Sequence, residues 1–309
     1  MKNVIINAMG TVIRLSINHN QPDSILSQAE SKIHTWEKQF SANDEHSDLM
    51  KINRMAGIRP VVTSDEIFKM IQLGYHATLT SNQKMNILIG PLVKLWKIGF
   101  EDAKKPNEQD IQYAITLTNP ENLELNEATN EVYLTKKGME IDLGALVKGY
   151  FADQLQTFFI NHGVTSGIID FGGNVITIGE NTPTSRSWKV GIRNPFYKNS
   201  NPLAVLDIQQ QSVVTSGIYE RYFIKDHQLY HHILDSKTGY PVNNDIASVT
   251  IVSDHSVDCE IWTTICSFGQ ASQNIELLNQ IDGIEGVIVK RDGDIVSTSR
   301  ISMQKKYVI

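Results

Sequence analysis

Apolar and polar residues alternate from Asn3 to Ile17, a period of two that predicts a first β-strand. The period then changes. Pro22 and Asp23 open a helix in which Ile25, Leu26, Ala29, Ile33 and Trp36 recur at helical spacing, ending near Phe40. The stretch Phe40–Asn53 is polar at first and apolar at Leu49 and Ile52, the pattern of an ordered loop that folds back. A second helix is predicted from about Ser64 to Ser81. Met85–Trp96 is an apolar segment broken by Gly90-Pro91 that must pack inside. Pro106 introduces a short helix, Glu108 to Leu117, and Val132–Leu134 reads as β.

The stretch Ile141-Asp-Leu-Gly-Ala-Leu-Val-Lys-Gly-Tyr150 follows, and reads as a strand-to-helix corner with the helix continuing to Phe159. Asp142 is placed as its N-cap, where a side-chain oxygen holds the unpaired N–H groups of the first turn. Gly144 opens the backbone and Lys148 lies on the next turn. An acid, bare amides and a positive charge so close together suit a phosphate-bearing ligand with a metal. The stretch alone fits a well-capped helix with a surface lysine equally well.

After a stop at Gly163 the pattern becomes largely β. Ser166–Ile178 reads as two strands joined across Gly172-Gly173. Strands follow at Lys189–Ile192, Leu203–Ile208, Ser212–Thr215, Tyr219–Ile224, Tyr230–Leu234 and Ser248–Val252. Helices are predicted at His255–Phe268 and Ala271–Leu278. Two closing strands, Gly286–Lys290 and Ile295–Ser299, are linked by the hairpin signal Arg291-Asp-Gly-Asp. The class is α+β, a single large domain over 1–309 with a helix-rich first half (about 1–165) and a sheet-rich second half (about 166–309).

Composition narrows the picture. Of 309 residues, 20% are charged and 41% hydrophobic, as in ordinary globular proteins. A net charge of −6 argues against a nucleic-acid surface, so any phosphate site must be built locally. No apolar run approaches a membrane span. The amino terminus lacks the charged and apolar regions of a signal peptide, so the expected compartment is the cytoplasm unless a leader has been removed. Cys259 and Cys266 are placed on one helix, two turns and about 10 Å apart, too far for a disulfide.

Three further places carry candidate chemistry. In Tyr230-His-His-Ile-Leu-Asp-Ser-Lys-Thr-Gly-Tyr-Pro241, His231 and His232 point to opposite faces of a strand, so at most one faces a site. Asp235…Thr238-Gly239 makes a tight turn. Thr215-Ser216-Gly217 offers hydroxyls and open backbone, suited to a phosphate or to an ordinary turn. On the late helix, Glu260 and Thr264 are four apart and share a face. They would give two oxygen ligands to a hard ion such as Mg²⁺. Glu260, with Asp258, also suits a plain solvated helix start. Zinc-type Cys/His clusters and a Walker motif are missing.

Taken together, the chain resembles the ApbE-type FAD:protein FMN transferase family, and the match runs over almost its whole length. It is carried by Met9-Gly-Thr11, Phe40-Ser41…Ser47-Asp-Leu…Asn53, Gly90-Pro-Leu-Val…Leu-Trp96 and Asp142-Leu-Gly…Lys148-Gly-Tyr150. It continues through Phe171-Gly-Gly173, Trp188-Lys-Val-Gly-Ile-Arg-Asn-Pro195, Thr215-Ser-Gly217 and His232-Ile…Asp235…Thr238-Gly-Tyr-Pro241. The resemblance implies a T-fold-related domain with mixed or antiparallel sheets flanked by helices. It implies an enzyme that binds FAD as substrate, uses Mg²⁺, and moves FMN to a Ser or Thr hydroxyl of an acceptor protein, releasing AMP. Acceptors of the family carry Asp-x-x-Ser/Thr-Gly-Ala-Ser/Thr, a motif this chain lacks. The alternatives are an FAD pyrophosphatase giving FMN and AMP, and a non-catalytic flavin-binding protein.

By the family's pattern the metal ligands are the Ala145 carbonyl, Glu260 and Thr264, and His232 is the base. The flavin nucleotide is met by Met9, Asn43, Met85, Asn86, Asp142, Lys148, Thr215, Ser216, Gly217 and Ile233. Three positions depart from the pattern. The family usually places Asp four residues before the metal-binding Thr. Glu260/Thr264 keeps that spacing, with Asp258 as a helper, whereas the other register would set Cys259, a poor Mg²⁺ ligand, before Thr263. Asn43 stands where an aromatic residue often stacks on the flavin, and Asn86 where Asp is usual.

Overall fold

A computed structural model of the chain describes residues 1–181, 186–197 and 200–305. The alternating amino-terminal run is two strands rather than one, β1 (Lys2–Ala8) and β2 (Thr11–Asn18). Met9 and Gly10 take φ of 52° and 67° and close a two-residue hairpin whose twist matches its strands. Methionine is no turn signal, so alternation ran on across the reversal. α1 spans Pro22–Phe40 as its period predicts. The expected folded-back loop instead contains a helix, α2 (Asp48–Arg54), because the Ser47 side chain accepts the Met50 N–H and Leu49, Met50 and Ile52 are buried together.

β3 (Val61–Val62) precedes α3 (Asp65–Thr80), which Ser64 caps. Gly90-Pro91 starts α4 (Gly90–Trp96) rather than interrupting a segment, since proline's missing N–H would be unpaired in a first turn anyway. α5 (Glu108–Thr116), β4 (Leu123–Asn126) and β5 (Glu131–Leu134) follow. α6 runs Val147–Asn161, so Asp142 lies well before it and is not its N-cap.

The rest of the chain comprises β6 (Ser166–Phe171), β7 (Asn174–Ile178), β8 (Trp188–Ile192), β9 (Ala204–Ile208), β10 (Ser212–Gly217), β11 (Tyr222–Lys225), β12 (Gln228–His231) and β13 (Ile246–Ser253). Then come α7 (Ser256–Ile265), α8 (Ala271–Leu278), β14 (Glu285–Lys290), β15 (Ile295–Ser297) and β16 (Met303–Lys305). The class is α+β, as expected. β3, β4 and β16 had no sequence signal strong enough to mark them.

These elements sort into two compact units. The first comprises Met1–Thr35, Lys148–Gly217 and Asn244–Ile309, and the second Trp36–Val147 and Ile218–Asn243. The first unit holds an antiparallel sheet in the order β1-β2-β6-β7-β10-β13-β14-β15, and a smaller one, β16-β9-β8. Every residue of β13 is buried, because the strand is covered on both faces. Val249 and Ile251 join Cys259, Cys266 and Leu278 in one cluster, while Val252 joins Leu206 and Ile208 in another. A register shift between Ile246 and Ser248 lets Ile246 share the face of Val249 although the two are an odd three residues apart.

The second unit holds the sheet β3-β5-β4 and the hairpin β11-β12. Its aromatic cluster is centred on Trp96, fully buried against Tyr230, Tyr240 and Phe223. Both cysteines are buried and free. Among the described residues no helix is long and apolar enough to cross a membrane.

Candidate active site

In the first unit, β6 and β7 reverse at Gly172-Gly173, with φ of 67° and 103°. A methyl group at position 172 would collide with the Thr11 hydroxyl, so only glycine fits this corner. The corner delivers Asn174 to the interior, where it is 1% exposed. Its Oδ1 accepts from Ser256 Oγ at 2.7 Å, and its Nδ2 donates to Glu260 Oε1 at 2.9 Å. Lys148 Nζ, on the first turn of α6, lies 3.6 Å from the same carboxylate oxygen. Glu260 is thus no solvated helix start. It is a buried acid with a carboxamide and an ammonium arranged around it.

The two helices that carry this pair meet closely. A Cβ at Gly149 would lie 2.6 Å from the Ser256 carbonyl and 2.7 Å from Glu260 Cγ. α7 gets no side-chain cap from His255. Asp153 of α6 supplies one instead, its two oxygens accepting from Ser256 N at 2.7 Å and Val257 N at 2.9 Å. Burial pushes the Asp153 carboxyl up to about 6, against the pull of those two amides. Burial also raises Asp258, with His255 opposing.

Thr263 and Thr264 both donate their hydroxyls to the Glu260 carbonyl at 3.0 Å, and Ser216 Oγ donates to Thr263 Oγ1 at 3.2 Å. Thr215 Oγ1 is 2.9 Å from Thr250 Oγ1, and Gly217 closes β10 beside them. Cys259 turns the other way. Its thiol faces the Ser212 carbonyl in the core, and burial pushes its pKa well up. Met9 sits half-buried in the β1–β2 turn.

In the second unit, Asp142 accepts from its own neighbour's amide, Gly144 N, at 2.7 Å. This is an Asx-type turn, and it replaces the expected helix cap. The Asp142 N–H is held by the Ile87 carbonyl at 2.8 Å. One residue earlier, Asn53 grips Ile141 from both sides: Ile141 N donates to Oδ1 at 2.8 Å, and Nδ2 donates to the Ile141 carbonyl at 3.0 Å. Removal from water raises the Asp142 carboxyl above its usual range, against Gly144 N, Arg221 and Lys94. Ala145 lies in the turn between Asp142 and α6, half-buried.

His231 is buried, with Nε2 2.8 Å from the Val242 carbonyl and Nδ1 accepting from Ile233 N at 3.3 Å. It holds the chain after β12 and is structural. His232 is half-buried, with Nδ1 3.3 Å from the Arg221 carbonyl. A carbonyl only accepts, so Nδ1 carries the hydrogen and Nε2 is the basic nitrogen of the neutral ring. Trp96 Nε1 donates to the Gly239 carbonyl at 2.8 Å, anchoring the turn after His232 and Ile233. Met85 is buried. Asn86 spends its amide locally, on the Thr118 carbonyl at 3.0 Å and Leu88 N at 2.9 Å. Asn43 is exposed.

A family model described as the ApbE family matches residues 9–288. The chain belongs to the ApbE family. It is 38% identical over 291 residues to the FAD:protein FMN transferase of Klebsiella pneumoniae (strain 342), covering 94% of this chain and 90% of that one. It is 31% identical to the FAD:protein FMN transferase of Treponema pallidum, covering 95% and 85%. The crystal structure of the ApbE protein from Thermotoga maritima superposes with a TM-score of 0.88 at 25% identity, over 96% of this chain and 97% of that one. The ApbE fold accounts for the antiparallel sheets and flanking helices.

In this ApbE chain Asn174 holds Glu260 and Asp153 holds the start of α7, while in the second unit Asn53 holds the Ile141 main chain. Asn174 follows directly on the Gly172-Gly173 corner, and a polar residue delivered inward by a glycine pair was the available signal. Asn53 lay inside a stretch already singled out. Asp153 had no signal, because the helix it caps is about 100 residues away (103 to Ser256).

Proposed function

We propose that this chain is an Mg²⁺-dependent transferase that moves the FMN half of FAD onto a Ser or Thr hydroxyl of an acceptor protein and releases AMP. Membership of the ApbE family supports the reaction class. The observation that carries the reading is the Glu260 carboxylate, kept in the interior with Asn174 and Lys148 on one oxygen. Burying an acid costs several kcal/mol unless its charge is used or compensated.

The donor set fits magnesium. It is a carboxylate and an adjacent hydroxyl, hard oxygens both, with Thr264 four residues from Glu260 on the same helix face. Among the described residues no group of three or more His, Cys, Asp or Glu could hold a metal, so phosphate oxygens and water would complete the shell. Cys259, turned to the core, is no competitor. The Ala145 carbonyl enters the assignment from the family's pattern alone, as do the flavin contacts of Met9, Asn43, Met85, Asn86 and Ile233. When bound, Mg²⁺ neutralises charge on the pyrophosphate.

The chain's own residues do the rest. Lys148 places an ammonium for the phosphates, and Ser216, which faces Thr263 of α7, offers a hydroxyl at the end of β10, while Thr215 lies on the opposite face of that strand against Thr250. Asp142 accepts hydrogen bonds from the flavin nucleotide. His232 Nε2 takes the proton of the acceptor hydroxyl as its oxygen bonds to phosphorus and the pyrophosphate P–O bond breaks, AMP leaving. The test is incubation with FAD, Mg²⁺ and a domain bearing Asp-x-x-Ser/Thr-Gly-Ala-Ser/Thr. Covalent flavin fluorescence on that domain supports transfer. FMN and AMP without labelling would replace it with hydrolysis, and neither product would leave a flavin-binding protein.

A further inference from the structure

We infer that Lys148 is a built-in counter-ion that occupies the metal's carboxylate and is displaced by the divalent cation. This rests on the assignment of Glu260 as a metal ligand. The two partners of the ion pair differ in freedom. The Glu260 side chain is 4% exposed and its stem lies against Gly149, where no side chain fits. The Lys148 side chain is 32% exposed and sits on a flexible four-carbon stem.

Asn174 fixes the glutamate further. Its Oδ1 is committed to Ser256, whose backbone N–H is held by Asp153, so its Nδ2 must face Glu260. The acid is therefore stationary, and the lysine is the member that can leave.

A dication at Glu260 and an ammonium 3.6 Å from the same oxygen repel each other. Lys148 must swing away when the metal enters, and it then carries its charge to the phosphates of the nucleotide. Because coupling is reciprocal, an anion that draws Lys148 off the carboxylate raises metal affinity by the same factor. The metal alone binds weakly. One lysine thus links the two ligands.

The test is Mn²⁺ titration of the full chain without FAD, followed by electron paramagnetic resonance of the free ion. Lys148→Met is expected to bind Mn²⁺ about fivefold tighter or better than wild type, and Lys148→Gln to tighten it in the same direction. Lys148→Arg keeps the charge and should stay near wild type. Asn174→Leu, which frees the carboxylate from its anchor, should bind more weakly. Unchanged or weaker binding in both Lys148→Met and Lys148→Gln overturns the counter-ion role. Glu260→Gln separates the two levels: if it leaves wild-type Mn²⁺ binding intact, the metal assignment itself fails.

Discussion

Replacing Asp153 with Asn probes the cap that seats α7 and with it Glu260. In the folded protein the Asp153 carboxyl titrates at about 6, against an ordinary 3.8. Folding therefore takes up a proton between those values, and stability falls as pH rises through that window before levelling off above it. At ~1.4 kcal/mol per pH unit the rise corresponds to about 3 kcal/mol by neutral pH. Asn cannot ionise, and it keeps one acceptor for Ser256 N or Val257 N while its own NH₂ meets the other amide, at a cost of about 1–3 kcal/mol. That cost is independent of pH. The decisive quantity is thus the stability difference between Asp153→Asn and wild type, which should move by about 2.4 kcal/mol in favour of Asn from pH 4 to pH 7. Urea unfolding of both proteins at intervals across that range, followed by circular dichroism, measures it. Parallel curves would refute the argument that burial outweighs the two amides at this carboxyl.

Three other outcomes are expected. Glu260→Gln should lower Mg²⁺-dependent flavin transfer by about 100-fold or more, as loss of a charged metal ligand requires, and full activity in the labelling assay would move the metal elsewhere. His232→Ala should retain FAD binding by fluorescence titration while transfer falls about 10²–10⁴-fold; a full-rate variant removes the base. Asn53→Ala leaves both the N–H and the carbonyl of Ile141 without that partner, and should lower stability by about 2–4 kcal/mol in urea unfolding. An unchanged midpoint would mean that water or a neighbour takes over.

The helices were legible where apolar spacing was regular, as in α1 and α8, and where a capping side chain also opened them, as in α3 and α5. The Gly172-Gly173 reversal was legible because the fold needs two positive φ values there. The Met9-Gly10 hairpin was not, since a strand's period of two does not change when it turns back. Asp142 misled for a physical reason: an aspartate before a helix reads as its N-cap, yet here its side chain closes a local turn with Gly144 while α6 begins at Val147. Lys148 and Glu260, both singled out by the sequence, lie 3.6 Å apart. The supporting bonds from Asn174 and Asp153 were not legible, because they join residues far apart in the chain and depend on helix packing at Gly149.

β2 finds its second neighbour only in β6, with Arg14 opposite Asp170, 156 residues further on. During translation at ~5–20 residues per second, the opening hairpin waits about 8–30 s before that neighbour is made. Throughout this wait one side of β2 is an open row of amides and carbonyls, with Ile13, Leu15 and Ile17 still wet. The nascent chain is most vulnerable to pairing with a stranger during this interval, and chaperones have the most to protect.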